Sequence, residues 1–176
     1  AFLREAAEIE GVYVPSLYEV RYHEDGTIAS VTPQDGAPAK VRKRIVIDLD
    51  NAYYPDRFVV PFIDIVHDRA MSEIFRGCIR GCRFCQAGFI YRPVREKSAE
   101  TVNAQSRALC ESTGYEEFSL SSLSTSDYTG LERLLPMLLD WAEEEKTNIS
   151  LPSLRVDGFS EELAAKLNVL RRSGLT

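Results

Sequence analysis

Cys78, Cys82 and Cys85 stand in the stretch Gly77-Cys78-Ile79-Arg80-Gly81-Cys82-Arg83-Phe84-Cys85. Three thiols within eight positions point to metal ligation, and thiolate is the usual terminal ligand of an iron-sulfur cluster. A cubane cluster has four irons, so three cysteines leave one iron open to something that is not protein. A fourth thiolate would close the site for electron transfer, whereas an open iron argues for catalysis. Zinc is the first competing use of these residues. It would need a fourth ligand from His67 or Cys110, and its usual sequence form is two separated Cys-x2-Cys pairs. A bacterial ferredoxin run reads Cys-x2-Cys-x2-Cys-x3-Cys-Pro, and its fourth cysteine and proline are missing here. Four cysteines in 176 residues are too sparse for a disulfide-stapled secreted domain. A zinc-stabilised binding module and an iron-sulfur electron carrier are the alternatives that accompany these uses.

The charge around the cysteines differs from that of the whole chain. The net charge is -6, which gives no global attraction to nucleic acid or anionic lipid. Between Arg76 and Lys97, however, Arg76, Arg80, Arg83, Arg92, Arg95 and Lys97 face a single acid, Glu96. Such a patch could compensate the negative charge of a thiolate-bound cluster and capture a carboxylate through an arginine fork. It could equally be a solvated basic surface.

At 176 residues and 44% hydrophobic, the chain can bury the core of one ordinary domain with an appendage. No apolar run approaches the roughly 20 residues that span a bilayer. The first residues, Ala1-Phe2-Leu3-Arg4-Glu5, are amphipathic rather than signal-like. A cytoplasmic protein with no membrane partner is expected. Residues 1–68 read as a small β-rich appendage. It has a helix over Phe2 to Glu10, strands over Tyr18 to Tyr22 and Thr27 to Val31 joined at Asp25-Gly26, a third strand over Arg44 to Leu49, and a proline-punctuated connector.

Residues 69–176 alternate strand and helix, the mark of parallel α/β architecture. The expected strands are Met71 to Arg76, Glu117 to Ser121 and Asn148 to Leu151. A helix capped by Ser98 should run to Ser112 and stop at Gly114. A second, from about Gly130 to Lys146, should bend or split at Pro136. A third should start at Ser160, bury Leu163, Leu167 and Leu170, and end near Gly174. The cysteine loop thus follows the first strand at its carboxyl end, where parallel α/β enzymes carry their active sites.

The Cys-x3-Cys-x2-Cys spacing, with the aromatic Phe84 just before the last cysteine, resembles the signature of the radical S-adenosylmethionine (SAM) superfamily. The resemblance implies a 4Fe-4S cluster held by Cys78, Cys82 and Cys85. Its open iron chelates the amino and carboxylate groups of SAM, and one electron from the cluster cleaves SAM to a 5'-deoxyadenosyl radical. It implies an electron donor such as flavodoxin or ferredoxin. It further implies that the chain is the first half of a partial six-unit (β/α) barrel, truncated after three units.

The contexts Glu73 to Cys78, Gln86 to Arg95, Leu120 to Ser124, Leu151 to Val156 and Gly11 to Pro15 look like one branch of that superfamily. This branch usually carries an amino-terminal cobalamin-binding-like domain. No Asp-x-His-x-x-Gly signature surrounds His23 or His67, so cobalamin could act only through a domain outside this chain. Where many members hold the SAM amino group with Gly-Gly-Glu, this sequence has Ser121-Ser122-Leu123. Its backbone carbonyls could make the same contacts. By the same resemblance Phe84, Ser121, Ser122, Ser153 and Arg155 are candidate cofactor contacts. For Arg155, ion pairing with Asp157 is the competing reading. Cys110 reads as a packed residue inside a helix, His67 as structural, and Tyr91 and Tyr128 as packing residues near the mouth of the site. Likeness to methylthiotransferase-like and cobalamin-linked members suggests RNA or protein as the substrate, by analogy alone.

Overall fold

The computed structural model describes residues 1–155 and Asp157. The expected helix from Ser160 to Gly174 lies outside the described residues. Two compact units divide between Val46 and Ile47.

In the first unit, α1 (Phe2–Ala7) precedes an antiparallel pair, β1 (Tyr18–Tyr22) and β2 (Ile28–Pro33), in which Tyr18 lies opposite Pro33. The turn forms where Asp25-Gly26 places it. Gly26 takes φ +82°, and Asp25 Oδ1 accepts from the Thr27 backbone N–H at 2.9 Å and from its hydroxyl at 2.7 Å. A small core of Ala7, Val14 and Leu17 holds this unit. The helix stops short of Glu10, because Ala7 is its one buried residue and a short helix needs packing to extend. No strand forms over 44–49. That run connects the two units and, among the described residues, has no strand beside it, so its β-branched residues have no ladder to join.

The second unit begins at Ile47, ahead of the boundary at residue 68 that composition suggests. Residues 47–69 are irregular, yet they are tied in. Leu49 is buried, Asp50 Oδ1 accepts from the Ser98 N–H at 2.8 Å, and the Tyr54 hydroxyl donates to Met71 O at 3.0 Å. The elements that follow are β3 (Ala70–Glu73), β4 (Phe75–Arg76), α2 (Ala87–Ile90), β5 (Arg95–Glu96), α3 (Ala99–Thr113), β6 (Glu117–Ser121), α4 (Leu131–Glu144) and β7 (Asn148–Ser150). β3, β6 and β7 form a parallel sheet in that order. Phe118, Ser119 and Leu120 of the central strand are all buried, as a sheet covered on both faces requires.

The single strand expected over Met71 to Arg76 is divided. Ala70 to Glu73 pairs with β6, and after Ile74 the chain pairs Phe75 and Arg76 antiparallel with β5. Ile74 serves both sheets: its N–H donates to Ser121 O at 3.0 Å and its carbonyl accepts from Lys97 N at 2.9 Å.

The helices form for local reasons. Ser98 caps α3, its Oγ accepting from Thr101 N at 3.2 Å, and Gly114 ends it in the left-handed region at φ +72°. Removing the cap by Ser98→Ala should cost about 1 kcal/mol. The denaturant midpoint would fall while the slope of the transition stays constant. α4 runs unbroken through Pro136, where the sequence leads one to expect a bend or break. Pro136 is exposed, so water can satisfy the Glu132 carbonyl that loses its partner. Leu134, Leu135 and Leu138 meanwhile hold the opposite face in the core. Trp141 stacks on Phe118 with ring centroids 5.3 Å apart and donates its indole N–H to Asn103 Oδ1 at 2.9 Å, which ties α4 to β6 and α3.

Candidate metal centre

The loop from Gly77 to Gln86 leaves the carboxyl end of the β3–β4 run. It turns at Gly77 and Gly81, with φ of +95° and +61°. Cys78, Cys82 and Cys85 are all free and half-buried on this loop. The Arg80 backbone N–H approaches Cys78 Sγ at 3.5 Å, and the Cys85 N–H donates to Cys82 O at 3.0 Å. Phe84 projects outward with 94% of its surface exposed. Among the described residues, no three His, Cys, Asp or Glu side chains converge closely enough to share a metal ion.

The three cysteines form no such group, either by themselves or with Cys110 or His67. Cys110 is packed in the main core, and burial pushes its thiol up to about 12. His67 is exposed, with Nδ1 3.1 Å from the Arg69 guanidinium. The loop presents three free, half-buried thiols, a donor set of the kind that holds an iron-sulfur cluster.

The carboxyl ends of β6 and β7 lie at the same end of the parallel sheet as that of β3. Ser121 O is engaged by the Ile74 N–H, which leaves one of its two lone pairs. Ser122 Oγ and Thr125 Oγ1 are 3.0 Å apart. Thr125 Oγ1 donates to Pro152 O at 2.6 Å, and Thr125 N donates to Ser153 O at 3.2 Å. Thr125 thus joins Ser122 and Ser153, two candidates 31 positions apart in sequence. Ser153 is exposed and holds φ +58°, a conformation uncommon outside glycine. Arg155 directs its fork at Asp157, at 2.9 and 2.7 Å, and its N–H donates to Ser126 Oγ at 3.3 Å. This is the pairing weighed against a cofactor contact.

Two of the six basic residues pair with acids outside the stretch. Arg76 Nε sits 2.9 Å from both oxygens of Glu73, and Arg80 pairs with Asp127. Lys97 is buried, with Nζ on Gln105 Oε1 at 2.8 Å and 4.5 Å from the centre of the Tyr54 ring. Desolvation lowers its pKa. Arg92 lies over the Phe89 ring at 4.9 Å. Arg95 closes the loop on itself, donating to Pro93 O at 3.0 Å and Tyr91 O at 3.1 Å. Tyr128 is buried, stacks on Phe75 and donates to Lys97 O at 2.8 Å; burial pushes its pKa up to about 12. Tyr91 is exposed.

Sequence reasoning missed the residues that fasten this arrangement: Ser124, Thr125 and Asp127. The Arg80 guanidinium beside Asp127 holds the Asp127 carboxyl below its usual range. Phe75, Cys78, Ile79, Val94, Glu96, Ser124, Asp127 and Thr129 line a cavity of about 230 Å³ next to the first cysteine. Glu96 accepts from the Thr129 N–H at 3.2 Å and from its hydroxyl, which closes the far side. The Ser-Asp spacing at 124 and 127 was the available signal, but it reads in sequence as an ordinary turn.

The family model described as the Radical SAM superfamily matches residues 72–175, more than half of the chain. The chain belongs to the radical SAM superfamily. Its parallel sheet with flanking helices is consistent with a partial radical SAM (β/α) barrel. The match begins at Ser72 in β3, so the cysteine loop and the ends of β6 and β7 all fall inside it. No curated protein matches the chain. Among the described residues, no helix is long and apolar enough to cross a membrane.

Proposed function

We propose that this radical SAM protein is an enzyme in which Cys78, Cys82 and Cys85 hold a 4Fe-4S cluster. The observation that carries the reading is the set of three free, half-buried thiols on the loop leaving the parallel sheet, inside the matched region. Bound there, the cluster would supply an open iron for the amino and carboxylate groups of SAM and the electron that cleaves it to a 5'-deoxyadenosyl radical. The chain's own part is positioning and shielding. Arg80 ties the loop to the turn after β6, and the free lone pair of Ser121 O and the Ser122 and Ser153 region offer acceptors for the SAM amino group and ribose. Arg155 could serve the SAM carboxylate only by exchanging its Asp157 partner. Phe84, at the surface, would pack over the adenine side of the site. Flavodoxin or ferredoxin would donate the electron. A macromolecular substrate, RNA or protein, belongs to the same proposal.

Anaerobic reconstitution with iron and sulfide tests this directly. Broad brown absorbance and an electron paramagnetic resonance signal that shifts on adding SAM are the expected results. A cluster indifferent to SAM would mean an electron carrier. Colourless protein with one zinc per chain would overturn the reading.

A further inference from the structure

We propose that Asp127 is a positioning residue for the cysteine loop, which it latches through Arg80 to the turn following β6. Arg80 lies between the first two cysteines, and it acts at both of its ends. Its backbone N–H approaches Cys78 Sγ at 3.5 Å. Its guanidinium reaches Asp127, 47 positions away in sequence, through Nε at 2.7 Å and a second contact through Nη2. A two-point fork fixes orientation as well as distance.

The two partners differ in a telling way. The Arg80 side chain is 40% exposed, but that of Asp127 is only 12% exposed. An exposed ion pair adds little order; one anchored on a nearly buried carboxylate restrains whatever it holds. Asp127 is itself held. It accepts from Ser124 Oγ at 2.7 Å, and its N–H donates to Ser124 O at 2.9 Å. The preceding Thr125 is pinned to Pro152 O and Ser153 O, and the following Tyr128 is buried against Phe75. Asp127 therefore transmits to the cysteine loop the fixed position of the β6 and β7 ends. Cys78 and Asp127 both line the 230 Å³ cavity, so the latch also forms part of its wall.

The consequence for iron rests on the proposed role of the three cysteines, but the consequence for the thiols does not. In metal-free protein, the rate of Cys78 alkylation by iodoacetamide, read by peptide mass spectrometry, reports how firmly the loop is held. Asp127→Asn should raise that rate roughly tenfold, the loss of a charge-assisted hydrogen bond, with the melting temperature and Cys110 labelling close to wild type. Asp127→Glu should fall between the two. Exchanging the charges, Arg80→Asp with Asp127→Arg, should slow Cys78 again relative to Asp127→Asn. After reconstitution, Asp127→Asn should hold less iron or show an altered resonance shift with SAM. Equal Cys78 labelling in wild type and folded Asp127→Asn would overturn the proposal. Should that variant not fold, equal labelling in Asp127→Glu would do the same. A wild type that binds no iron would overturn the function proposed above, while the alkylation rates would still decide whether the latch exists.

Discussion

Cys82→Ala, reconstituted without oxygen, is expected to emerge without a cluster, whereas Cys110→Ala should carry as much iron and sulfide as wild type. The contrast follows from where the four thiols sit. Cys78, Cys82 and Cys85 are half-buried on one loop and joined by no disulfide. With three ligands for four irons, removing one leaves two, too few to hold a cubane against loss to solvent. Cys110 shares its helix with Val102 and Leu109 and lies in the main core. Burial, then the nearby carboxylates of Glu145 and Glu111, push its thiol up to about 12. The thiolate is the ligating form, and burial keeps Cys110 as the neutral thiol at pH 8. Cys110→Ala should therefore cost only packing, about 1 kcal/mol. Iron and sulfide per chain decide the matter. Iron retained by Cys82→Ala, or lost from Cys110→Ala, would mean that another ligand set operates.

The parts of this fold legible in sequence are those set by local chemistry. The Ser98 cap, the Gly114 stop, the Asp25-Gly26 turn and the strand Glu117 to Ser121 each depend on residues within a few positions of one another. What could not be read depends on partners far along the chain. Nothing in the run Met71 to Arg76 says that its last two residues leave the parallel sheet, because the cause is β5, some 20 positions on. Pro136 argues for a break in any isolated helix; the apolar face of α4 overrules it by burial. The three cysteines were visible as a group because their spacing is local. The surroundings were not. Arg80 looks unopposed until Asp127, 47 positions on, is found beside it. Ser124 and Asp127 have a spacing too common to single out.

Gly77→Ala should damage the site nearly as much as losing a cysteine, without touching a ligand. Gly77 precedes Cys78 and turns the chain from β4 into the loop at φ +95°, which costs an alanine roughly 1–2 kcal/mol. Space adds to the strain. A Cβ at residue 77 would lie 2.7 Å from Tyr91 O, 2.8 Å from Pro93 O and 3.0 Å from Val94 Cα. All three are backbone atoms, on the segment leading into β5. The pairing of Phe75 with Glu96 and of Arg76 with Arg95 holds that segment in place, so it cannot yield without opening β4 from β5. Overpacking of this kind costs roughly 1–3 kcal/mol more. Together they amount to about 2–5 kcal/mol, a large share of the 5–15 kcal/mol of a typical domain. Gly114→Ala separates the two effects, since φ is +72° there but nothing lies within 4 Å of the added carbon. It should lose about 1 kcal/mol and keep its iron. Gly77→Ala should melt roughly 4–20 °C lower and take up much less iron. If it melted and bound iron as Gly114→Ala does, the close approach of residues 91–94 would not be what shapes the cysteine loop.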